Sequence, residues 1–186
     1  MSYEVVESIA RTLSREAPRG GPRGAAVSVI LSGRSAPEIL FIRRAERSND
    51  PWSGQIAFPG GRAQPRDGDP RGTACRETSE EVGIDLDAVA EFLGYAEPVT
   101  THTGAIDVVP CAFLLRARSR VVLNDEVASY KWARVRDILS KDAKTTHRLK
   151  TPGGSVEMPA IRVADYVIWG LTYRILVALL GLPEPV

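Results

Sequence analysis

Apolar positions recur along this chain in two rhythms, and the rhythm changes where the elements change. Near the start, Val5, Val6, Ile9, Ala10 and Leu13 fall at helical spacing and predict an opening helix. The run Ala17-Pro18-Arg19-Gly20-Gly21-Pro22 ends it as a loop. Residues 25–31 are apolar at 25, 27, 29 and 31, the period of a strand with one buried face. Residues 39–42 form a short apolar run, its expected hairpin partner across a turn over 33–37. Three further strand-like stretches follow at 92–99, 106–115 and 129–135. Residues 108–115 are apolar nearly throughout, which suits a strand covered on both faces, and Pro110 inside them predicts a bulge or an edge stretch. Weaker strand signals lie between 145 and 163. Ile168, Leu171, Ile175 and Leu179 return to helical spacing within an apolar stretch over 167–182, with Gly181 and Pro183 ending it. Strands in the majority, with a helix after the first few, predict an α/β fold: a mixed β-sheet sandwiched between helices.

Composition narrows the function classes. A chain of 186 residues is long enough for one domain with a sizeable core, and we expect residues 1–186 to form a single domain. Charged residues make up 25% and the formal net charge is +1, so no strong field points to nucleic acid or an anionic membrane as partner. Cys75 and Cys111 have neither disulfide-framework nor metal spacing, and both are expected as buried free thiols. The first twenty residues carry acids and lack an apolar signal core, so a cytoplasmic location is the expectation. The apolar stretch over 167–182 is short of the ~20 residues a spanning helix needs and contains Arg174, which argues against the membrane.

The segment that carries chemistry is Arg76-Glu77-Thr78-Ser79-Glu80-Glu81-Val82-Gly83-Ile84. Carboxylates at i, i+3 and i+4 place Glu77, Glu80 and Glu81 on one face of a helix, with Arg76 four residues from Glu80. Like charges at these spacings repel, and a hard divalent cation turns that cost into a site. Oxygen-only ligands suit Mg²⁺ or Mn²⁺ rather than zinc. Pro59, Gly60, Gly61, Pro65, Gly68 and Pro70 predict a tight, irregular loop before the helix, and Gly83 closes it.

Residues 61–84 resemble the signature of the Nudix hydrolases, GX5EX7REUXEEXGU, where U is a bulky aliphatic residue. Arg76, Glu77, Glu80, Glu81, Gly83 and Ile84 fall in place, with Thr78 at the first U. The first half departs from the pattern, with Asp67 where the first glutamate belongs and one residue too many before Arg76. Either the loop carries an extra residue or Asp69 is the functional equivalent. The resemblance implies an α/β/α sandwich and a metal-dependent hydrolase that cleaves the diphosphate of a nucleoside diphosphate linked to another group. It implies Glu77, Glu80, Glu81 and the Gly61 carbonyl as metal ligands, Arg76 as the residue that orients a glutamate, and a further acid outside the helix as base or ligand. Glu126 is the candidate for that acid, with Glu97, Asp107 and Asp125 as alternatives.

A second resemblance, to the coenzyme A pyrophosphatases within that group, lies upstream. Their motif, approximately LLTXR(S/A)X3RX3GX3FPGG, is matched by Arg43 and by Gly54-Gln55-Ile56-Ala57-Phe58-Pro59-Gly60-Gly61. Arg44 replaces the small residue, and six residues rather than three separate Arg47 from Gly54, including Asn49-Asp50-Pro51-Trp52-Ser53. Ile168-Trp169-Gly170-Leu171-Thr172 is also similar to the end of those enzymes. The resemblance implies coenzyme A, or a related nucleotide diphosphate such as ADP-ribose or NADH, as the small-molecule substrate. Arg43, Arg44, Arg47 and Arg62 are then expected to receive its phosphates. The alternative for the arginines near position 44 is a solvated strand end. Trp52 is either a base-stacking residue or a loop anchor, and Trp132 and Trp169 are expected in the core. His102, in a polar loop, is a minor catalytic candidate. A homodimer is expected by analogy alone.

Overall fold

The computed structural model describes residues 2–18, 24–48, 52–101, 104, 106–151 and 153–182. His102, residues 19–22, residues 49–51 of the upstream insert and Pro183 lie outside them. Among the described residues no helix is long and apolar enough to cross a membrane.

The main sheet is organised around two neighbouring strands, β1 (Ala25–Ser32) and β7 (Asp107–Leu115), which run parallel in register from Ala25 opposite Val108 to Ser32 opposite Leu115. Antiparallel neighbours extend it on both sides. β2 (Glu38–Arg44) pairs with β1, and β2 in turn pairs with β3 (Ile56–Ala57) and β8 (Val127–Arg134). β5 (Ala90–Tyr95) and β6 (Val99–Thr100) pair with β7, and the short β4 (Gly60–Arg62) pairs with the start of β1. The sheet is therefore mixed. Helices cover both faces: α2 (Pro70–Val82) with α3 (Leu86–Val89) on one, α1 (Ser2–Thr12) with α5 (Gly170–Leu180) on the other.

Strand alternation sorts the core into two layers. Ile30, Leu40, Ile42, Cys111 and Phe113 pack with Ala74, Val82, Ile84 and Leu86 on the α2 side. Val29, Leu31, Ile39, Phe41, Ala112 and Leu114 pack with Val6 and Ile9 of α1 and with Ile175, Leu176 and Leu179 of α5. Each fully buried side chain of this size contributes roughly 1.5–3 kcal/mol. β1 is thus buried on both faces, where its period predicted one; the small residues Ala26 and Ser28 hide the second buried face from the pattern.

Other expectations are corrected at their edges. The stretch predicted as one strand over 92–99 is two, β5 and β6, with a bulge between Phe92 and Gly94. Pro110 lies in a central strand, not at an edge. Its carbonyl accepts from the Ala96 N–H, at the gap between β5 and β6 where the neighbouring strand leaves the ladder. The weak signals after 144 become a second, three-stranded sheet of β9 (Lys144–Thr151), β10 (Gly154–Val163) and β11 (Tyr166–Trp169). Ile168 belongs to β11, so the closing helix is shorter than predicted, and Gly181 caps it in the left-handed conformation. Trp132 and Trp169 are half-buried rather than core: Arg118 stacks on the first, and His147 stacks on the second with ring centroids 4.1 Å apart. Cys111 is buried and Cys75 half-buried; both thiols are free and pushed up in pKa by burial, Cys75 to about 11.

One contact between layers explains a departure from pattern. Thr78, at a position where a bulky aliphatic is the rule, donates to Ser28 Oγ at 2.7 Å, and Ser28 Oγ donates to the Ala74 carbonyl at 3.1 Å. A buried polar relay thus ties α2 to β1. Ser28→Ala alone strands the Thr78 hydroxyl and should cost about 1–3 kcal/mol. Combining it with Thr78→Val should restore most of that loss in urea unfolding, and a double variant no better than Ser28→Ala would refute the relay.

Candidate active site

α2 begins where the sequence provides a start. Asp69 caps it, its side chain accepting from the Gly72 N–H at 2.7 Å, and Pro70 is the first helical residue rather than part of the loop. Gly83 ends the helix in the left-handed region (φ 69°) with its N–H on the Ser79 carbonyl. Between these ends Glu77 and Glu81 meet the loop at Gly61 and Gly60, while Glu80 pairs with Arg76 one turn back.

The environments of the three glutamates differ. Glu81 is buried, with its side chain 3% exposed. Its Oε2 accepts from the Gly60 N–H at 2.9 Å and its Oε1 lies 4.0 Å from Arg44. Burial raises its pKa to about 7, against the pull of that N–H, with the charges of Glu77 and Glu126 adding to the rise. Glu77 is shifted upward too, first by burial, with Glu80 and Glu126 adding to it and Arg76 opposing. Glu80 is half-exposed and accepts from Arg76 Nη1 at 3.1 Å. Glu126, from the turn before β8, is thus near enough to act electrostatically on both inner glutamates.

Close approach of the loop requires its glycines. A Cβ on Gly61 would stand 2.5 Å from the Glu77 carboxyl carbon, and one on Gly60 would stand 2.4 Å from the Ala26 carbonyl oxygen. The backbone at Gly60 and Gly61 therefore lies directly against the acids.

Arg76 holds the group together. Its Nη1 donates to Glu77 at 2.9 Å as well as to Glu80, and its Nη2 donates to the Arg62 carbonyl at 3.0 Å. Its Nε and Nη2 donate to the two oxygens of Asp67 at 2.8 and 3.0 Å. Asp67 also accepts from the Gln64 N–H and the Thr73 hydroxyl, and its side chain is 3% exposed. The Arg76 guanidinium holds the Asp67 carboxyl well below the usual carboxylate range. The two aspartates thus have separate structural parts: Asp67 anchors Arg76 and Asp69 caps the helix. Spacing alone left these open, because the extra residue is taken up in a turn of 3-10 helix over Pro65–Asp67 that swings Asp67 back onto Arg76.

The four arginines expected at the substrate are placed differently from one another. Arg44 faces Glu81. Arg47 lies 3.0 Å from Asp125 and 3.8 Å from Glu126. Arg62 is exposed beside the loop, its carbonyl held by Arg76. Arg43 points to the opposite face of the sheet, with its Nη2 3.1 Å from Asp165. Trp52 is exposed at 47%, so it is no buried anchor. Of the alternative acids, Asp107 accepts from the Thr100 hydroxyl, away from α2. Sequence reasoning missed Thr73 and Gln64, the further supports of Asp67; a hydroxyl in the first turns of a helix and a backbone N–H in a loop carry no signal by themselves.

The NUDIX domain model matches residues 22–158. The chain belongs to the Nudix family. An uncharacterized Nudix hydrolase, NudL, from Yersinia pestis is 33% identical over 155 residues, covering 83% of this chain and 76% of that protein. An uncharacterized protein of Schizosaccharomyces pombe is 32% identical over 155 residues, and this chain spans 47% of its length. The fold is that of solved Nudix structures. A MutT/nudix family protein from Enterococcus faecalis aligns with TM-score 0.52 at 16% identity, over 89% of this chain and 63% of that one. A C. elegans Ap4A hydrolase aligns with TM-score 0.50 at 23% identity, over 60% and 80%. The chain is accordingly a Nudix hydrolase.

Members of the family generally use divalent metal ions, and the residues of this site fit one. Among the described residues no three acidic, histidine or cysteine side chains close into a ready-made cage. Mg²⁺ and Mn²⁺ do not need one, since such ions keep waters and share one or two carboxylates with substrate phosphates. The buried Glu81 carboxylate, with one N–H and one arginine at 4.0 Å to offset its charge, is an oxygen ligand that a cation would stabilise.

The raised pKa of Glu81 sets a stability signature for this Nudix domain. The folded protein retains a proton that the unfolded chain releases above the ordinary value of 4.5, so metal-free stability falls as pH rises from there to about 7. Glu81→Gln remains neutral and escapes this loss. With a chelator present it should exceed wild type by about 3 kcal/mol at pH 8 and match it near pH 4.5. Denaturant unfolding at both pH values checks this; a variant less stable than wild type at pH 8 would contradict it.

Proposed function

We propose that this Nudix hydrolase is a Mg²⁺- or Mn²⁺-dependent pyrophosphohydrolase, cleaving the diphosphate of a nucleoside diphosphate linked to another group by water attack. The observation that carries this reading is the seating of Glu81 and Glu77 against the Gly60–Gly61 backbone, with Arg76 fixed by Asp67 behind them. Glu77, Glu80, Glu81 and the Gly61 carbonyl would hold the metal. When bound there, the cation neutralises diphosphate charge and lowers the pKa of the attacking water.

The chain's own residues supply the rest. Arg76 keeps Glu77 and Glu80 turned to one side and offsets their mutual repulsion. Glu126, in the turn before β8 and 3.8 Å from Arg47, would be the acid outside the helix that accepts the water's proton. Arg44 and Arg47, beside Glu81 and Glu126, offer forked donors to incoming phosphate oxygens, with Arg62 on the loop.

Within this class we propose coenzyme A as substrate, with adenosine 3′,5′-bisphosphate and 4′-phosphopantetheine as products. The support is the intact run from Gly54 to Gly61, with Arg44 and Arg47 ahead of it. ADP-ribose and NADH are the competing substrates, since the same acids would serve any of them.

A panel of coenzyme A, ADP-ribose, NADH and dinucleoside polyphosphates, assayed with Mg²⁺ and with Mn²⁺, separates these. Preferred turnover of coenzyme A is the expected result; preference for ADP-ribose defeats the substrate assignment, and no turnover of any member defeats the activity. Glu80→Gln and Glu81→Gln should each lower kcat by at least ~10²-fold. Near-wild-type rates in both would remove these glutamates from the metal site.

A further inference from the structure

We infer that Arg43, together with Lys131 and Asp165, positions the loop in front of the carboxylate helix and is not a ligand of the substrate's phosphates. The inference rests on the reading above that this loop and the α2 acids form the metal site. Its starting point is the alternation of β2. Leu40 and Ile42 belong to the α2 layer and Arg44 faces Glu81, so Ile39, Phe41 and Arg43 face the other way, toward α5 and β11. The register of β2 against β8 shifts between Arg43 and Arg44, and the two guanidinium groups end at different carboxylates, Asp165 and Glu81.

What Arg43 does on its own face is well defined. Its Nη2 donates to Asp165 Oδ2 at 3.1 Å and to the Asp165 carbonyl at 3.2 Å, and its guanidinium lies 5.0 Å from the Tyr166 ring centre. Lys131, from the neighbouring strand β8, pairs with the other oxygen of Asp165 and lies 4.8 Å from the same ring. The Tyr166 hydroxyl is 2.8 Å from Ser129 Oγ, directly opposite Arg43 in the strand register. Two cations and a hydroxyl from β2 and β8 therefore grip one turn. That turn contains Ala164, the non-glycine residue with positive φ (54°) among the described residues, a conformation that persists only where its surroundings enforce it.

The gripped turn leads straight to the catalytic loop. From Tyr166 the chain runs through β11 into the first turn of α5, where the buried Thr172 hydroxyl donates to the Ile56 carbonyl at 3.1 Å. Ile56 is also the residue paired with Arg43 across β2 and β3. Two residues on, Phe58 stacks on Phe41 with centroids 5.1 Å apart, and the Pro59 carbonyl accepts from the Ser28 N–H. The next residue is Gly60, whose N–H meets Glu81. The loop is thus held at Ile56 from both sides. Each ion pair here is partly exposed and weak as a stabiliser, so its value lies in placement. Placement matters because a shift of about 1 Å at a catalytic group can cost ~10²-fold in rate.

The test compares wild type with Arg43→Lys, Asp165→Asn and the double variant. It measures kcat and KM on coenzyme A and ADP-ribose, Mn²⁺ affinity without substrate by EPR, and hydrogen exchange at the Gly60 and Gly61 amides. Each single variant should lower kcat about 10-fold with KM within roughly two-fold, weaken Mn²⁺ binding several-fold and speed exchange at Gly60. The double variant should be no worse than the worse single, as expected for one shared device. A KM raised about 10-fold or more by Arg43→Lys, with Asp165→Asn like wild type, would make Arg43 a substrate ligand and overturn the inference. So would a lower melting temperature with kcat, Mn²⁺ affinity and exchange unmoved. If wild type hydrolyses no diphosphate, the functional reading fails, while the exchange and Mn²⁺ measurements still decide the positioning.

Discussion

The parallel pairing of β1 with β7 is the constraint on which the remaining structure depends. Both strands are buried on both faces, so each must satisfy its backbone groups within the sheet and its side chains against helices above and below. That requirement explains the helical layers. It also explains how the loop beside the α2 acids is fixed: β4 pairs with the first residues of β1, and the Ser28 N–H donates to the Pro59 carbonyl. The loop is registered against a strand buried on both faces before any acid is considered.

Around that frame the acids are arranged by unequal burial. Asp67 is buried yet charged, because Arg76, a backbone N–H and a hydroxyl satisfy it. Glu81 is buried and undercompensated, so it resists ionisation in the absence of a cation. The turn before α2 therefore carries an acid whose charge is already used for architecture, and α2 itself carries one whose charge is only partly offset. Buried carboxylates are costly unless paired, and here the pairing differs residue by residue.

Much of this was legible in the sequence. Spacing placed Glu77, Glu80 and Glu81 on one helix face, and the apolar run at 108–115 marked the strand covered on both sides. What was not legible has particular causes. Ser28 concealed a buried face of β1, because its hydroxyl is satisfied by Ala74 and Thr78, 46 and 50 residues away, which no local pattern spans. Ile168 keeps helical spacing with the residues after it by coincidence, while its partner in the ladder is Ile161. Arg43 and Arg44 are adjacent and alike in sequence; only the phase of the strand, set by where β2 pairs with β1 and β8, tells them apart. The roles of Asp67 and Asp69 depended on a turn of 3-10 helix that the loop's prolines and glycines permit but do not specify.

The hydrogen bond from Thr172 to Ile56 has a consequence for how such a chain can diverge. The family model ends at residue 158, and Asp165, Tyr166 and Thr172 all lie beyond it. Thr172, which holds the loop at Ile56, thus lies outside the stretch that carries the acids. A signature spanning residues 61–84 is therefore blind to a change at Thr172 that would reach the loop's backbone through the Ile56 carbonyl.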